Sequence, residues 1–444
     1  MFRQTILLLR IFALLLFTSC LSSRDEDLDL SDPIPVIERY YDSSVCPDRI
    51  FQSVSEDPST QINISWRTSE NIIDGYAEVA IAGTSAVKEE ETDIQKAEVH
   101  QVRYENILDH YFKATLLDLK PHTNYMVRVG SKDHRSEWFQ VSTAPQSFQP
   151  FRFLYFGDIK ENIREYAPRI YRQAAIGYPD AKFMVHTGNM VNSAATDDTW
   201  GEWFYSGNWL FQQIPSLAVP GDGEHRKISG ESANTLFPQW NGSFHFPQNG
   251  PPGLKNLSCY YDYPGIRIVS LYTHFPSRNA TQDIYLNHEV KVSEEHFQNQ
   301  LRWLKRILAG NKQPWLVVIM HHPVFTARKD RHNELLQQEI LPLLEQYKVD
   351  LVLQGHDQVY ARGYNPDPER ESKLPVYMIS VAGGEMQEAD KTHNWISRHY
   401  ENSQLYQVIN VSTNTMRIDA VNLQGKRVDR FWIRRDENGT KSLL

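Results

Sequence analysis

Five short apolar runs, each ending in a side chain of a metal-binding type, constrain this chain more than any other feature of its sequence. Runs of this kind, rich in Val, Leu, Ile and Phe, are typical of buried β-strands. The polar residue follows directly where each run stops, at the point where a strand gives way to a loop. These residues are, in chain order, Asp158 after FLYFG, Asn189 after FMVHTG, Asp222 after SLAVPG, His321 after LVVIM and His356 after VDLVLQG.

The position of these residues at strand ends suggests that they share one site. Neighbouring parallel strands release the chain at the same edge of a sheet, and the loops that leave this edge commonly form ligand sites. A glycine stands just before the polar residue in four of the five runs, which permits the chain to turn sharply away from the strand. Because carboxylate, amide and imidazole groups can all hold metal ions, we expect the five strand ends to meet around one metal site.

The domain organisation follows from how apolar residues repeat on either side of residue 150. Residues 33–146 contain short alternating strands separated by turn signals, which predicts an all-β sandwich of the fibronectin or immunoglobulin kind. Within it, the segment 117–125 resembles the fibronectin type III corner, in which a tyrosine, here Tyr125, ties down a loop. Residues 151–434 alternate strand patterns with helical ones, notably at 299–309 and 334–347, which predicts an α/β domain. Residues 435–444 form a short tail beyond it.

The N-terminus has the pattern of an export signal. Residues 1–20 combine Arg3 with an apolar run at 11–17 and end in Thr18-Ser19-Cys20. This ending resembles a bacterial lipobox, which implies a lipid anchor on Cys20 and a location in the bacterial cell envelope. The alternative is a plain signal peptide and a secreted protein. A transmembrane anchor is not expected, since the run is shorter than the ~20 residues that span a bilayer. The acidic residues 21–32 are predicted to be a disordered tether.

The charge balance excludes one class of partner. The 444-residue chain carries a formal net charge of −9, which gives none of the basic footprint expected of a nucleic-acid-binding protein. A small phosphate ester held by metal ions is compatible with this charge. We therefore expect a membrane through the lipid anchor and a phosphate-ester substrate as partners, and no nucleic acid.

A β-sandwich followed by these five polar strand ends, in this order, resembles a purple acid phosphatase-type metallophosphoesterase. Members of this family place a fibronectin-like domain before a calcineurin-like catalytic domain and carry the blocks GDxG, GDxxY, GNHE, VxxH and GHxH. The blocks hold two metal ions in an α-β-β-α sandwich, where a metal-activated water attacks the phosphorus of a phosphate ester. The resemblance covers nearly everything from residue 46 to residue 433 and implies that fold and that activity for this chain.

The match is uneven between the two metal positions. The second position keeps Asp222, His321 and His356, an N/O ligand set suited to Zn²⁺, Mn²⁺ or Fe. At the first position the resemblance implies Asp158 as a ligand, and no other anion is retained there. Neutral amides stand where the family has its other ligands: Asn189 for the bridging aspartate, Asn192 for the tyrosine and Gln358 for the second histidine of the last block. We therefore expect one strong metal site, with a second, weak one at the first position as the open alternative.

Two further histidines are candidate catalytic residues. Gly223 occupies the position of the histidine that contacts substrate in the family, and His225, two residues later, is a candidate to replace it. His322 is a candidate to contact phosphate beside His321. Simpler interpretations stay open, in which His225 is a solvated loop residue and His322 packs before Pro323.

These observations lead to two functional hypotheses. The first is an exported, lipid-anchored metallophosphoesterase-like hydrolase whose centre has diverged toward one strong metal site. The second is a catalytically weak or dead pseudophosphatase that acts as a binding protein of the cell envelope. Only the first hypothesis predicts metal-dependent product release that is lost when His321 is replaced.

Overall fold

The computed structural model describes one compact unit that begins after the N-terminal forty residues. This unit spans Tyr41–Leu444, and within it the structure describes residues 41–104, 107–192, 196–227, 234–275, 284–286, 290–329, 331–370 and 372–444. The predicted signal segment, its lipidation site Cys20 and the acidic tether lie outside the described residues. Within these ranges, no helix combines the length and the apolar character that crossing a membrane requires.

The N-terminal part is a β-sandwich, as predicted. One sheet has the strand order β4-β3-β7-β8, and the other contains the neighbours β1-β2-β6-β5. Alternate residues of the strands fill the space between the sheets. There Trp66 stacks on Phe112, with the ring centroids 5.4 Å apart. The Tyr125 hydroxyl accepts a hydrogen bond from the Lys120 backbone N–H at 2.7 Å, so this tyrosine does tie down the preceding loop. The strands are β1 (Asp48–Ser53), β2 (Ile62–Ser69), β3 (Tyr76–Ile81), β4 (Asp93–Lys96), β5 (Glu98–Tyr104), β6 (Ile107–Leu116), β7 (Asn124–Gly130) and β8 (Phe139–Ser142).

The remaining strands build the second part of the molecule. They are β9 (Phe151–Phe156), β10 (Met184–His186), β11 (Ser216–Ala218), β12 (His225–Lys227), β13 (Asn234–Leu236), β14 (Cys259–Tyr263), β15 (Ile266–Leu271), β16 (Ile284–Tyr285), β17 (Trp315–Met320), β18 (Leu351–Gln354), β19 (Tyr360–Gly363), β20 (Val376–Ile379), β21 (Ile396–Tyr400), β22 (Leu405–Val411), β23 (Thr415–Asn422), β24 (Arg427–Arg435) and β25 (Lys441–Leu443). Residues 435–444, which were predicted to be a tail, contain strand β25. This strand pairs with β24 and extends the sheet.

Two large sheets carry the functional loops. An eleven-stranded sheet has the order β25-β24-β23-β22-β9-β10-β11-β1-β2-β6-β5, and a seven-stranded sheet has the order β14-β15-β17-β18-β20-β19-β21. A small three-stranded sheet, β12-β13-β16, lies apart from them. The sandwich shares the first of these sheets with the α/β part, because β1 pairs in parallel with β11 at Ser53 and Ser216. The short segment at 145–150 therefore links two regions that backbone hydrogen bonds also join.

Helices cover the outer faces of the sheets, which gives the α-β-β-α layering. They are α1 (Ile163–Gly177), α2 (Asp197–Gln213), α3 (Pro238–Ser243), α4 (Glu294–Ala309) and α5 (Leu341–Gln346). All six residues of β17 are buried. Val317 and Ile319 belong to the core shared with β9 and β10, whereas Val318 and Met320 pack in the core that contains the apolar faces of α4 and α5. A strand covered on both faces reads as a continuous apolar run, which is the pattern seen in the sequence.

The two predicted helices differ from the observed ones at their starts. Helix α4 begins five residues before the predicted start at 299, because Ser293 caps it by accepting a hydrogen bond from the His296 N–H. The pattern at 334–347 becomes a π-helical turn, Leu336–Ile340, followed by α5. Pro342 in the first turn of α5 has no N–H to donate, which interrupts regular α-helical hydrogen bonding.

Candidate metal centre

Asp222 stands at the centre of a cluster of imidazole rings. Three neighbouring parallel strands of one sheet, β9, β10 and β11, and two of the other, β17 and β18, end next to it. The Asp222 side chain is 44% exposed, whereas the His321 ring beside it is fully buried. The contacts are His356 Nδ1 at 3.0 Å and His321 Nε2 at 4.0 Å from Oδ2, and His274 Nδ1 at 3.2 Å and His322 Nε2 at 3.3 Å from Oδ1.

The cluster has the geometry of a metal-binding group. One ligand atom from each of Asp222, His321, His322 and His356 lies within 4.8 Å of all the others. Within this group, the buried atoms His321 Nε2 and His356 Nδ1 make no well-aligned hydrogen bond in the described part of the chain and face the Asp222 carboxylate at 4.0 and 3.0 Å. A buried polar atom without a partner is costly, and a cation between these atoms would satisfy them. The residues present therefore fit a bound metal ion.

The protonation states of the cluster also suit a cation. His321 Nδ1 lies 2.7 Å from the Thr187 carbonyl oxygen. We therefore assign the proton to Nδ1, which leaves the Nε2 lone pair facing Asp222. Burial lowers the pKa of His321 well below its usual range, so the ring is a neutral ligand. Withdrawal from water acts to raise the pKa of Asp222, but contacts from His274, His322 and His356 outweigh it and hold that pKa well below its usual range.

The loop after β15 supplies a sixth strand end that the sequence analysis missed. Its residues Tyr272, Thr273 and His274 all serve the cluster. The Thr273 hydroxyl lies 3.0 Å from His322 Nδ1 and also accepts a hydrogen bond from the His322 backbone N–H at 3.1 Å. The signal was present in the sequence, because the apolar run IRIVSL ends in Tyr-Thr-His, but this strand end lies outside the five blocks of the resemblance.

His225 lies behind the cluster, with both ring nitrogens engaged. Its Nδ1 lies 2.7 Å from the Gly221 carbonyl oxygen, and its Nε2 lies 2.9 Å from the Tyr272 hydroxyl. The ring stacks on His274 with centroids 4.0 Å apart, and burial lowers the pKa of His225 well below its usual range. The solvated-loop interpretation of His225 is therefore wrong. The ring is positioned to support His274, and both of its nitrogens are hydrogen-bonded within the protein.

Asp158 and Asn189 lie on the other side of the centre, where they bond to each other. The Asn189 side-chain amide donates to Asp158 Oδ2 at 2.8 Å, and the His356 backbone N–H donates to Asp158 Oδ1 at 2.7 Å. The remaining polar atom, Asn189 Oδ1, accepts from the Gly223 backbone N–H at 2.7 Å. Burial raises the pKa of Asp158 well above its usual range. All the polar side-chain oxygens of this pair are therefore used within the protein.

Comparison with known proteins agrees with this geometry. The family description "Purple acid Phosphatase, N-terminal domain" matches residues 47–143, and "Calcineurin-like phosphoesterase" matches residues 151–360. The two matches cover the sandwich and all five strand ends in the family's order. The chain belongs to the purple acid phosphatase-type metallophosphoesterases.

The individual relatives are only distantly similar. An uncharacterized protein of Mycobacterium tuberculosis is 24% identical over 339 residues, which cover 69% of this chain and 60% of the relative. Purple acid phosphatase 23 of Arabidopsis thaliana is 26% identical over 203 residues, covering 44% of this chain and 38% of the relative. The chain thus spans less than two thirds of the length of these relatives. The fold of purple acid phosphatase PPD1 from yellow lupin (Lupinus luteus) seeds matches with a TM-score of 0.69 at 14% identity, covering 89% of this chain and 75% of that chain.

The departures from the purple acid phosphatase blocks have visible structural partners. Gln358 donates to Glu385 Oε2 at 2.9 Å, and Asn192 donates to Glu161 Oε2 at 3.0 Å, so both amides are tied to neighbouring carboxylates. At Gly223 an added Cβ would lie 1.8 Å from the Val191 carbonyl oxygen. The family's histidine therefore has no room at this position in the present backbone.

Left-handed backbone conformations concentrate in the loops of the centre. Asn189, His356 and Gln358 have φ angles of 50°, 72° and 55°, and Gly188 has a φ of 87°. Residues other than glycine rarely adopt such conformations, and they tend to cluster at functional sites, where the surrounding structure holds them in place. The turns that follow the strands thus keep these residues in left-handed conformations, which fix the direction of their side chains at the centre.

Proposed function

We propose that this chain is a metal-dependent hydrolase of phosphate esters with one strongly bound metal ion, held by Asp222, His321, His322 and His356. The observation that carries the proposal is the convergence of three imidazole nitrogens on the ionised Asp222 carboxylate, two of which are buried and make no well-aligned hydrogen bond among the described residues. Three imidazoles and one carboxylate suit Zn²⁺, Mn²⁺ or Fe. When bound, such an ion polarises a phosphoryl oxygen and makes water more acidic.

The chain's own residues prepare this site for a phosphoryl group. The carbonyl of Thr187 and the hydroxyl of Thr273 fix the rings of His321 and His322, so that one nitrogen of each ring faces the centre. The exposed part of Asp222 lies at the opening toward solvent. A phosphate ester can therefore approach from the Asp222 side while the buried histidines stay fixed.

Metal analysis combined with a chromogenic substrate tests the proposal. We expect about one metal ion per chain and slow, metal-dependent release of nitrophenol from p-nitrophenyl phosphate. His321→Ala should lose both, because it removes a fully buried ligand. His399→Ala is the matched control, since His399 is an exposed residue of the edge strand β21. Metal-free protein, or turnover that His321→Ala does not reduce, would contradict the proposal.

A second candidate function is a phosphate-binding pseudophosphatase of the cell envelope. The observation in its favour is that Gly223 has no side chain where the family has a histidine, while the two nitrogens of His225 are hydrogen-bonded to Gly221 and Tyr272. Retention of a phosphorylated ligand without product release, unchanged after the metal is stripped, would favour this function over hydrolysis.

We also propose that the chain is anchored by a lipid on Cys20 in a bacterial cell envelope, with secretion as the alternative. The support is the sequence pattern of residues 1–20 and the acidic tether at 21–32. Expressed in a bacterium, the full chain should partition into detergent and carry a lipidated N-terminal cysteine by mass spectrometry, and Cys20→Ser should abolish both. A mature chain that begins at a residue other than Cys20 and carries no lipid would support secretion.

A further inference from the structure

A lysine lies on the side of the centre where the purple acid phosphatase family holds its first metal ion. Lys160 follows Asp158 by two residues, in the position that is glycine in the family's GDxG block. Its backbone is left-handed, with a φ of 47°, and its N–H donates to the Asn189 carbonyl oxygen at 2.8 Å. Lys160 therefore has a backbone conformation that is unfavourable for residues other than glycine.

The Lys160 side chain reaches the glutamate to which Gln358 is hydrogen-bonded. Its Nζ lies 3.8 Å from Glu385 Oε2, the same oxygen that accepts the hydrogen bond from Gln358 at 2.9 Å. Lys160 and Asp158 are also joined through Asn189, whose backbone carbonyl oxygen accepts from the Lys160 N–H and whose side-chain amide donates to Asp158. Lys160, Glu385, Gln358 and Asp158 together define the lysine cluster.

The lysine cluster lacks free ligands for a metal ion. The Glu385 carboxylate lies beside the ammonium group, Gln358 and the neighbouring Asn189 are neutral, and both oxygens of Asp158 already accept hydrogen bonds. An ammonium group needs no set of anionic ligands, since it is held by a few hydrogen-bond acceptors. The ion pair with Glu385 is long, and the Lys160 side chain is 30% exposed, so the ammonium group has an accessible face.

We propose that the ammonium group of Lys160 takes the place of a second metal ion and binds a non-bridging oxygen of the phosphoryl group. This inference rests on the proposed function, because it assigns a second phosphate contact to the same centre. A metal ion, when held at Asp222, would supply the other positive charge next to the same phosphoryl group. A fixed positive charge at this point stabilises the charge that develops on the phosphoryl oxygens.

The test is the affinity of the purified protein for inorganic phosphate, measured by calorimetry with the metal content determined on the same sample. Lys160→Met should weaken phosphate binding by about tenfold or more, since it removes a charge-assisted hydrogen bond. Lys160→Arg should retain most of the affinity. Glu385→Gln should tighten binding by about threefold, because it removes the anion that competes for the ammonium group.

The matched control is Lys391→Met, which removes an exposed lysine that is likewise paired with a glutamate, Glu401. It should leave phosphate affinity unchanged. If Lys160 were only an ion-pair partner of Glu385, neither Lys160→Met nor Glu385→Gln would change the affinity, and that result would overturn the inference.

The two proposals fail in different ways. If the protein holds one metal ion and hydrolyses the ester, but Lys160→Met binds phosphate normally, the inference is wrong and the proposed function stands. If the protein holds no metal, the proposed function fails. In that case, phosphate binding that still depends on Lys160 supports the inference, and binding that does not depend on it overturns the inference.

Discussion

The two halves of the centre are built from the same kind of strand end, yet one half leaves its donor atoms free and the other uses them up. On the Asp222 side, imidazole nitrogens of His321 and His356 are buried beside the Asp222 carboxylate and make no well-aligned hydrogen bond among the described residues. On the Asp158 side, both carboxylate oxygens accept hydrogen bonds from nitrogen donors of the protein. The presence of ligand-type residues therefore does not make a metal site. What matters is whether their lone pairs remain available. We call the Asp222 side of the centre the open half and the Asp158 side the closed half.

The largest effect is expected from changing the carboxylate at the centre of the open half. Asp222→Asn removes the only anionic ligand of the metal-binding group of Asp222 and three histidines. A neutral amide binds transition metals weakly, so we expect the affinity for Zn²⁺ or Mn²⁺ to fall by more than about 100-fold. Competition against a chelator of known affinity measures this loss. Unchanged affinity would mean that the ion binds elsewhere.

A second metal ion should bind once the closed half is given free ligands. The double variant Asn189→Asp, Gln358→His supplies a carboxylate and an imidazole on the Asp158 side and breaks two of the hydrogen bonds that close it. We expect the metal content to rise from about one ion per chain to about two. Gln358→His alone is the control and should hold one. A double variant that also holds one ion would show that more than these two residues closes this half.

The closed half should matter for stability and not for the first metal ion. Asp158→Asn places an amide N–H against another donor, either Asn189 Nδ2 or the His356 backbone N–H. We expect the free energy of unfolding to fall by about 1–3 kcal/mol, with the metal affinity at Asp222 unchanged. Chemical denaturation and metal titration measure the two quantities.

Asp180→Asn is the matched control for this change, because the Asp180 carboxylate is 59% exposed and its ion pair with Arg152 is on the surface. It should change the free energy of unfolding by less than about 1 kcal/mol. An Asp158→Asn protein as stable as this control would mean that the closed network contributes nothing to folding.

The smallest effect is expected from the residues that orient the free ligands. Thr273→Val removes the hydroxyl that holds the His322 ring but keeps the shape of the side chain. Outer partners of metal ligands typically contribute about tenfold or more to metal affinity, so we expect a loss near the lower end of that range. Thr392→Val is the control, since the Thr392 hydroxyl bonds to Asp390 in an exposed turn. An equal effect of both changes would remove the assigned role of Thr273.

The sequence by itself determined where the strands end and which residue types stand there. Apolar runs of five to seven residues indicate strands that are buried on both faces of a sheet, and the polar residue after each run indicates where the loop begins. Both features can be predicted because they depend on residues that are adjacent in the chain. The order of the five strand ends and the preceding sandwich then gave the family. By the same signal, the run before His274 could have been recognised as a sixth strand end.

Only the tertiary structure decided which of these residues remain available as ligands. The hydrogen bond from the His356 N–H to Asp158 joins residues 198 positions apart, and that from Gly223 to Asn189 joins residues 34 positions apart. The lack of space at Gly223 depends on the Val191 carbonyl oxygen, which belongs to a different loop. The ion pair of Lys160 with Glu385 likewise joins residues that are far apart in the chain. Hydrogen bonding and steric exclusion act through space, so chain order cannot reveal which lone pairs are occupied.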